Sequence, residues 1–324
     1  MGYKEQKLAV DEKLKRIKRI LLLVVVFLLT ALVVFSCFYP PESWKYYFDM
    51  PNVPKRKAGE MRLHFIDVEQ GDCSLIELPD GQIVLVDGGN GTRKTERTVL
   101  RYLNALGIEE IDHLIITHTD NEHCGAIDEV VKQKKVLNAY LPATSKITDG
   151  EYAEAYAALI KEDCALYEAE RTIRLKGDKY PYQLSFVYPY SATAWLEGDE
   201  VTSSVFWLDY QGVSALFMGD AGLDVENSLL RDDAFGFLAD EVDLKSTEIL
   251  KTAHHGSNAS TSRDFLSYLG VKTAIISCGK DNPYGYPLPE VLDNLAWHGA
   301  AVHRTDLQGN ILITVRPNGE YTVD

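Results

Sequence analysis

His118-Thr119-Asp120-Asn121-Glu122-His123 follows the apolar run HLIIT at 113–117 and precedes Gly125. Two imidazoles and two carboxylates crowd into six positions at the end of a segment whose composition predicts a strand. A single histidine at a strand end is ordinarily a surface or capping residue. Four ligand-capable groups in one loop reverse those odds, because they can converge on a cation at about 2.0–2.2 Å. A strand end also suits the purpose: the sheet fixes the backbone while the turn lets alternate side chains point into one cleft.

Two further places repeat the pattern of a chemically capable side chain at the end of an apolar strand. Asp220 ends the run VSALFMGD at 213–220, where it can cap the next helix, bridge two cations, or do both. Lys251-Thr252-Ala253-His254-His255-Gly256-Ser257 ends the run starting at Glu248. Adjacent histidines on a strand point to opposite sides, so one is expected to bind metal and the other to line the pocket; His254 is favoured as the ligand. The polar stretch from Ser257 to Ser262 is expected to open a helix whose N–H groups and hydroxyls can hold a phosphate.

Between these points short strands alternate with helices. MRLHFIDV (61–68), CSLIELP (73–79) and QIVLVDGG (82–89) read as a meander, the latter two joined by the turn signal Pro79-Asp80-Gly81. Residues 95–106 place Val99, Leu100, Leu103 and Leu106 on one helical face, closed by Gly107. Further strands are expected at 182–189, 203–210, 213–220, 248–256, 272–277, 301–305 and 310–315, with helices near 223–230, 261–269 and 290–297. The class is α/β, and two mixed sheets with helices outside are the natural packing solution.

The chain has 324 residues, 46% hydrophobic and 25% charged, which suffices for a sizeable core. Residues 20–38 run 19 positions without a charge, long enough to cross a hydrocarbon layer of about 30 Å as one transmembrane helix. Seven basic residues precede the span and only Lys45 follows soon after, so segment 1–19 is expected in the cytoplasm and the main domain outside a bacterial cell membrane. Pro-rich residues 39–60 read as a linker, and the folded domain is expected over 61–324. The ending Val34-Phe35-Ser36-Cys37 loosely matches a lipoprotein cleavage site. Residues 1–19 carry a net +4 of the overall −15, which leaves −19 on the rest. Such a field repels polyanions, so nucleic-acid binding through a basic patch is not expected and any such activity needs bound cations. The five cysteines form no CxxC pair and indicate neither a zinc knuckle nor a disulfide framework. Gly-rich nucleotide loops, a serine nucleophile elbow and coiled-coil heptads are not seen.

Taken in order, six motifs resemble the metallo-β-lactamase superfamily and, within it, the ComEC-like branch of soluble nuclease-type domains. They are residues 65–72 (FIDVEQGD), 85–89 (LVDGG), 117–123 (THTDNEH), 217–221 (FMGDA), 253–257 (AHHGS) and 282–287 (NPYGYP). The resemblance implies an αββα sandwich with one or two divalent cations, zinc or manganese, at the rim between the sheets. It implies that His118 and Asp120 hold a first metal and Glu122 and His123 a second, that Asp220 bridges, and that His254 or His255 completes the site. Asp87 resembles the family's supporting carboxylate beneath the ligands. The sequence departs from the pattern at Glu122 (usually Asp), Glu69 (usually Gly), Val201-Thr202 (usually Asn) and Gly285-Tyr286-Pro287-Leu288-Pro289 (usually GHPHP).

With such a site the implied chemistry is hydrolysis by metal-activated water, in which Asp120, Glu122, Asp220 and His255 take part and His255, Lys251, Ser257 or Tyr286 contacts substrate or leaving group. The first expectation is an extracytoplasmic phosphodiesterase, with nucleic acid the substrate class the resemblance implies. The second is a hydrolase of cell-envelope phosphodiesters, amides or esters. The third, motivated by Glu122, Tyr286 and Leu288, is a catalytically silent metal-binding or protein-interaction module. A pore is not expected from one span.

Overall fold

A computed structural model of the chain describes residues 3–38, 41–142, 150–190, 203–238 and 242–324; Val201 and Thr202, and the side chain of Cys37, lie outside the described residues. The chain separates into two compact units, Met1–Asp49 and Met50–Asp324.

The first unit holds helix α1 (Tyr3–Phe38) and a 3₁₀ turn at Pro41–Tyr46. Among the described residues this is the one helix long and apolar enough, over Asp11–Ser36, to cross a membrane; a signal sequence meets the same description. The hydroxyls of its apolar stretch are satisfied within the helix, Thr30 Oγ1 donating to the Val26 carbonyl (2.9 Å) and Ser36 Oγ to that of Leu32 (2.8 Å). Hydrocarbon offers a hydroxyl no partner, so this internal satisfaction suits a lipid setting.

The second unit is built on strands β1 (Met61–Phe65), β2 (Ser74–Glu77), β3 (Ile83–Val86), β4 (Glu110–Ile115), β5 (Lys135–Leu141), β6 (Ala165–Glu168), β7 (Arg174–Lys176) and β8 (Tyr182–Tyr188). They continue with β9 (Val205–Tyr210), β10 (Val213–Phe217), β11 (Thr247–Lys251), β12 (Thr273–Ile276), β13 (Ala301–Arg304), β14 (Ile311–Val315) and β15 (Tyr321–Val323). The helices between them are α2 (Arg93–Leu106), α3 (Asn121–Cys124), α4 (Ile127–Gln133), α5 (Glu151–Lys161), α6 (Leu223–Ala234), α7 (Arg263–Tyr268), α8 (Pro289–His298) and α9 (Thr305–Gln308).

Two sheets result, in the orders β15-β14-β1-β2-β3-β4-β5-β6 and β13-β12-β11-β10-β9-β8-β7. Their inner faces share one core: Phe65 and Ile115 from the first sheet pack with Phe206, Phe217, Ile249 and Ile275 from the second. Phe217 lies stacked between Phe65 (5.8 Å) and Phe206 (4.6 Å). Each such fully buried side chain contributes roughly 1.5–3 kcal/mol. The outer face of the second sheet is covered by Val225 and Leu229 of α6, Phe265 and Leu266 of α7, and Val291 and Leu295 of α8. Helix α2 buries Val99, Leu100 and Leu103, and α4 buries Ile127, Val130 and Val131. This is a four-layer αββα sandwich.

The pairing direction positions the site. β3 runs parallel to β4, and β10, β11 and β12 run parallel to one another, so their carboxyl ends emerge together. Ligand sites in α/β sheets form at such ends because each strand delivers a loop to the same edge. A backbone bond from Ser204 N to the Thr117 carbonyl (2.7 Å) ties the end of β4 to the residues entering β9.

Several sequence expectations need correction. The runs at 213–220 and 248–256 are shorter as strands, ending at Phe217 and Lys251, and His254–Gly256 forms a 3₁₀ turn in which both histidines have left-handed φ (50° and 54°). The rule that neighbours on a strand face opposite ways does not apply there. The helix expected from about Thr261 begins at Arg263, capped by Ser262 Oγ, which accepts from Phe265 N (3.2 Å). The residues before it are no phosphate cradle: the Glu226 carboxylate already accepts from Thr261 N and from Ser262 N (3.1 Å). The end of the Pro-rich segment is pinned, Arg62 Nη1 donating to the Pro54 carbonyl, Arg56 Nη1 to Pro79 (3.2 Å), and Tyr210 Oη to Gly59 (2.6 Å).

Candidate metal centre

Four strand ends and the β1–β2 loop deliver the site. The chain leaves β4 through Thr117 and His118, both buried, and turns into α3. Gly125 makes this turn possible: a Cβ there would lie 1.9 Å from Gly91 N, against the backbone of the loop after β3. Asp87, at the end of β3 with φ 58°, accepts from Thr117 N (2.8 Å), Thr117 Oγ1 (2.7 Å) and His123 Nδ1 (3.0 Å). Occupying Nδ1 in this way turns Nε2 toward the cluster, the atom that offers a lone pair once its proton is displaced.

His123 Nε2 lies 3.1 Å from Asp220 Oδ1, yet both atoms are buried without a hydrogen bond. His255 Nε2 is 3.8 Å from Asp220 Oδ2 and is also buried without one, as is Asp72 Oδ1. Leaving a buried polar atom unsatisfied costs about 1–3 kcal/mol. Four of them clustered around Asp220 mark a place shaped for something that accepts lone pairs. Potential ligand atoms within 4.8 Å of one another form three groups: His118, His123 and Asp220; Asp72, Asp220 and His255; and Asp72, Asp87 and His123. Asp220 belongs to the first two and so stands between them. It is no helix cap, since the residue before α6 is Gly222; its own N–H donates to Ser203 Oγ (2.8 Å).

The electrostatics agree. Three buried carboxylates, Asp72, Asp87 and Asp220, face one buried ammonium, that of Lys251, which donates to Asp72 Oδ2 (2.7 Å). Two negative charges are left to balance. Burial opposes charge on His123 and His255, but Asp220 with Asp87 holds the first, and Asp220 with Asp72 the second, above the ordinary histidine range. Burial likewise opposes charge on Asp220 and Asp72, and the neighbouring imidazoles and Lys251 outweigh it, holding both carboxyls below the usual range. Protonated imidazoles thus supply the countercharge that a divalent cation supplies on displacing those protons. Nitrogen and carboxylate donors of this kind fit zinc or manganese.

The other expected residues fall around this centre. Asp120 keeps 43% of its side chain exposed, with Oδ2 3.9 Å from His118 Nε2. Glu122 is half-buried; its carbonyl accepts from Asp72 N (3.0 Å), and its carboxylate belongs to none of the three groups. His254 lies at the rim, Nε2 3.9 Å from Asp220 Oδ2 and its ring edge-on to Tyr286 at 5.8 Å. His255 is fully buried, its Nδ1 3.0 Å from the Ser277 carbonyl and 3.5 Å from Asp72 Oδ1. Lys251 is buried against Asp72, and Ser257 closes the 3₁₀ turn through its N–H to the His254 carbonyl (2.8 Å). Asp72, within the motif FIDVEQGD, is a site residue that the motif reading does not single out; Gly71 beside it, where a Cβ would meet the Glu122 carbonyl at 2.5 Å, is the available signal of a close approach.

A family model described as the metallo-beta-lactamase superfamily matches residues 66–280. ComE operon protein 3 of Bacillus subtilis is 28% identical over 271 residues, covering 78% of this chain and 33% of that protein. Recombination protein 2 of Haemophilus influenzae is 28% identical over 254 residues, covering 76% and 28%. The chain therefore spans about a third of the length of the curated relatives it matches. Among solved structures, the metallo-beta-lactamase fold protein YhfI of Bacillus subtilis aligns with a TM-score of 0.50 at 12% identity, over 79% of this chain and 99% of that one. CmlA, a diiron beta-hydroxylase from Streptomyces venezuelae, aligns with a TM-score of 0.50 at 12% identity, over 82% and 55%. At these identities the two structures share the fold.

Proposed function

Since the chain belongs to the metallo-β-lactamase superfamily and carries a ComEC-like domain, we propose that it is a membrane-anchored, metal-dependent phosphodiesterase whose domain works outside the cytoplasm. The observation that carries this reading is the set of buried imidazole and carboxylate atoms turned toward Asp220 without hydrogen bonds of their own. His118, His123 and Asp220 would hold one divalent cation, and Asp220 with His255 and Asp72 a neighbouring one.

When bound, such cations supply a water nucleophile at neutral pH and offset the negative charge that builds on a phosphoryl group. The chain's own residues do the rest. Asp87 and the Ser277 carbonyl fix the tautomers of His123 and His255 so that each presents Nε2. Lys251 offsets Asp72 and keeps that carboxylate ionised inside the protein. Asp120 and His254, the half-buried members of the cluster, are placed to take up the proton of the attacking water and to deliver one to the departing oxygen. Anchoring rests on α1 and on the basic residues before its apolar stretch, which favour a cytoplasmic N-terminus.

The test is turnover of a simple phosphodiester by residues 50–324, the second compact unit. Cleavage with manganese or zinc, abolished by chelation and in Asp220→Ala, is the expected result. Full metal content with no turnover of any phosphodiester would sink the reading.

A further inference from the structure

The segment between β12 and α8 carries two tyrosines that the fold's core does not use. Tyr284 and Tyr286 are stacked, their centroids 5.4 Å apart and their planes 20° from parallel. Tyr286 meets the His254 ring at 5.8 Å, and His254 Nε2 approaches Asp220. The rings therefore form a line from the mouth of the metal centre to solvent, where Tyr284 is 56% exposed.

A lone exposed aromatic needs no explanation, but this one is held in place. Asn282 clamps its loop: Nδ2 donates to the carbonyls of Gly279 (2.9 Å) and Tyr286 (2.7 Å), and Oδ1 accepts from Tyr284 N (3.2 Å) and Tyr286 N (3.0 Å). A pre-ordered aromatic face loses little entropy when a flat ligand settles on it. The charge balance points the same way. With a net −19 outside the N-terminal segment, the protein's overall field does not attract a polyanion, which favours affinity drawn from metal and from contacts indifferent to charge. Stacking is such a contact, and every nucleobase offers a face for it.

We propose that the Tyr284–Tyr286 stack is a base-binding platform, so that the phosphodiester cleaved at the metal centre carries an unpaired nucleobase. The proposal rests on the phosphodiesterase reading and narrows it to nucleotide-bearing substrates. Duplex bases are already stacked on one another and cannot reach the tyrosines.

The experiment uses the full chain in detergent, loaded with manganese. It compares kcat/KM for oligothymidylate, an abasic oligomer of equal length, the same thymidylate in duplex form, and the dinucleotide thymidylyl-thymidine. The single-stranded thymidylate is expected to be preferred over the abasic oligomer and over the duplex by about tenfold, mainly through KM. Tyr284→Ala should bring the thymidylate-to-abasic ratio near one, and Tyr284→Phe should restore it. Retention of the preference in the dinucleotide assigns the platform to one base beside the scissile bond; loss of it there assigns it to a base further along a polymer. Equal cleavage of thymidylate and abasic oligomers, or a preference unmoved by Tyr284→Ala, overturns the platform and leaves the phosphodiesterase standing. Failure to cleave any of them, while a simple phosphodiester is cleaved, overturns the platform alone; failure on both overturns the phosphodiesterase as well.

Discussion

His123 Nε2 faces Asp220 Oδ1 at 3.1 Å with both atoms buried and neither hydrogen-bonded, although each residue is held firmly on its other side, His123 by Asp87 and Asp220 by Ser203. A divalent cation that displaces the imidazole proton would be held by both atoms at this place. Zinc or manganese should therefore stabilise the folded state by about 2.7 kcal/mol at one hundred times its dissociation constant. Thermal melts of the metal-free protein with added cation should show the rise, and Asp220→Ala should show none.

Asp87 accepts from His123 Nδ1 and from both Thr117 groups, behind the His123 ring. Asp87→Asn keeps the size and tolerates the left-handed backbone, since asparagine is among the residues that visit it. Losing the charge behind the imidazole should weaken cation binding about 10- to 100-fold, read by competition with a chromogenic chelator. Unchanged affinity would show that Asp87 supports the loop alone.

Lys251 and Asp72 form an ion pair whose side chains are 3% and 6% exposed. Removing one partner strands a buried charge, so Lys251→Met should cost about 3–5 kcal/mol of stability in urea unfolding. Adding Asp72→Asn to it should recover part of that loss.

Away from the centre, His64 accepts or donates at both ring nitrogens, to Tyr102 Oη (2.9 Å) and Glu77 Oε2 (2.9 Å). Burial lowers its pKa below 6.5 despite Glu77 beside it. The unfolded chain then binds the proton more readily, so this contribution is lost as pH falls through about 6.5. Glu77 is the second step: burial opposes its charge, but His64 and Arg62 outweigh it, and its contribution, present above about 4.5, is lost as pH falls through the lowered value. Urea unfolding from pH 7.5 to 5 should show a decline that is shallower in His64→Gln, by up to about 1.4 kcal/mol per pH unit.

The local sequence determined the candidate groups and their setting: ligand-capable residues at strand ends, the apolar stretch in α1, and an α/β class with two mixed sheets, because these follow from composition, periodicity and short-range turn chemistry; the αββα arrangement came from the family resemblance. Only the tertiary structure decided which atoms meet. Periodicity treated His254 and His255 as strand neighbours, whereas a left-handed turn after Lys251 brings both rings near Asp220. The helix start near Thr261 reads as an anion site until Glu226, 35 residues earlier, takes its N–H groups. Asp72 and Lys251, 179 positions apart, have no local signal of their pairing. Such contacts arise where parallel strands end at a common edge, and a chain read one window at a time carries no record of which edges will coincide.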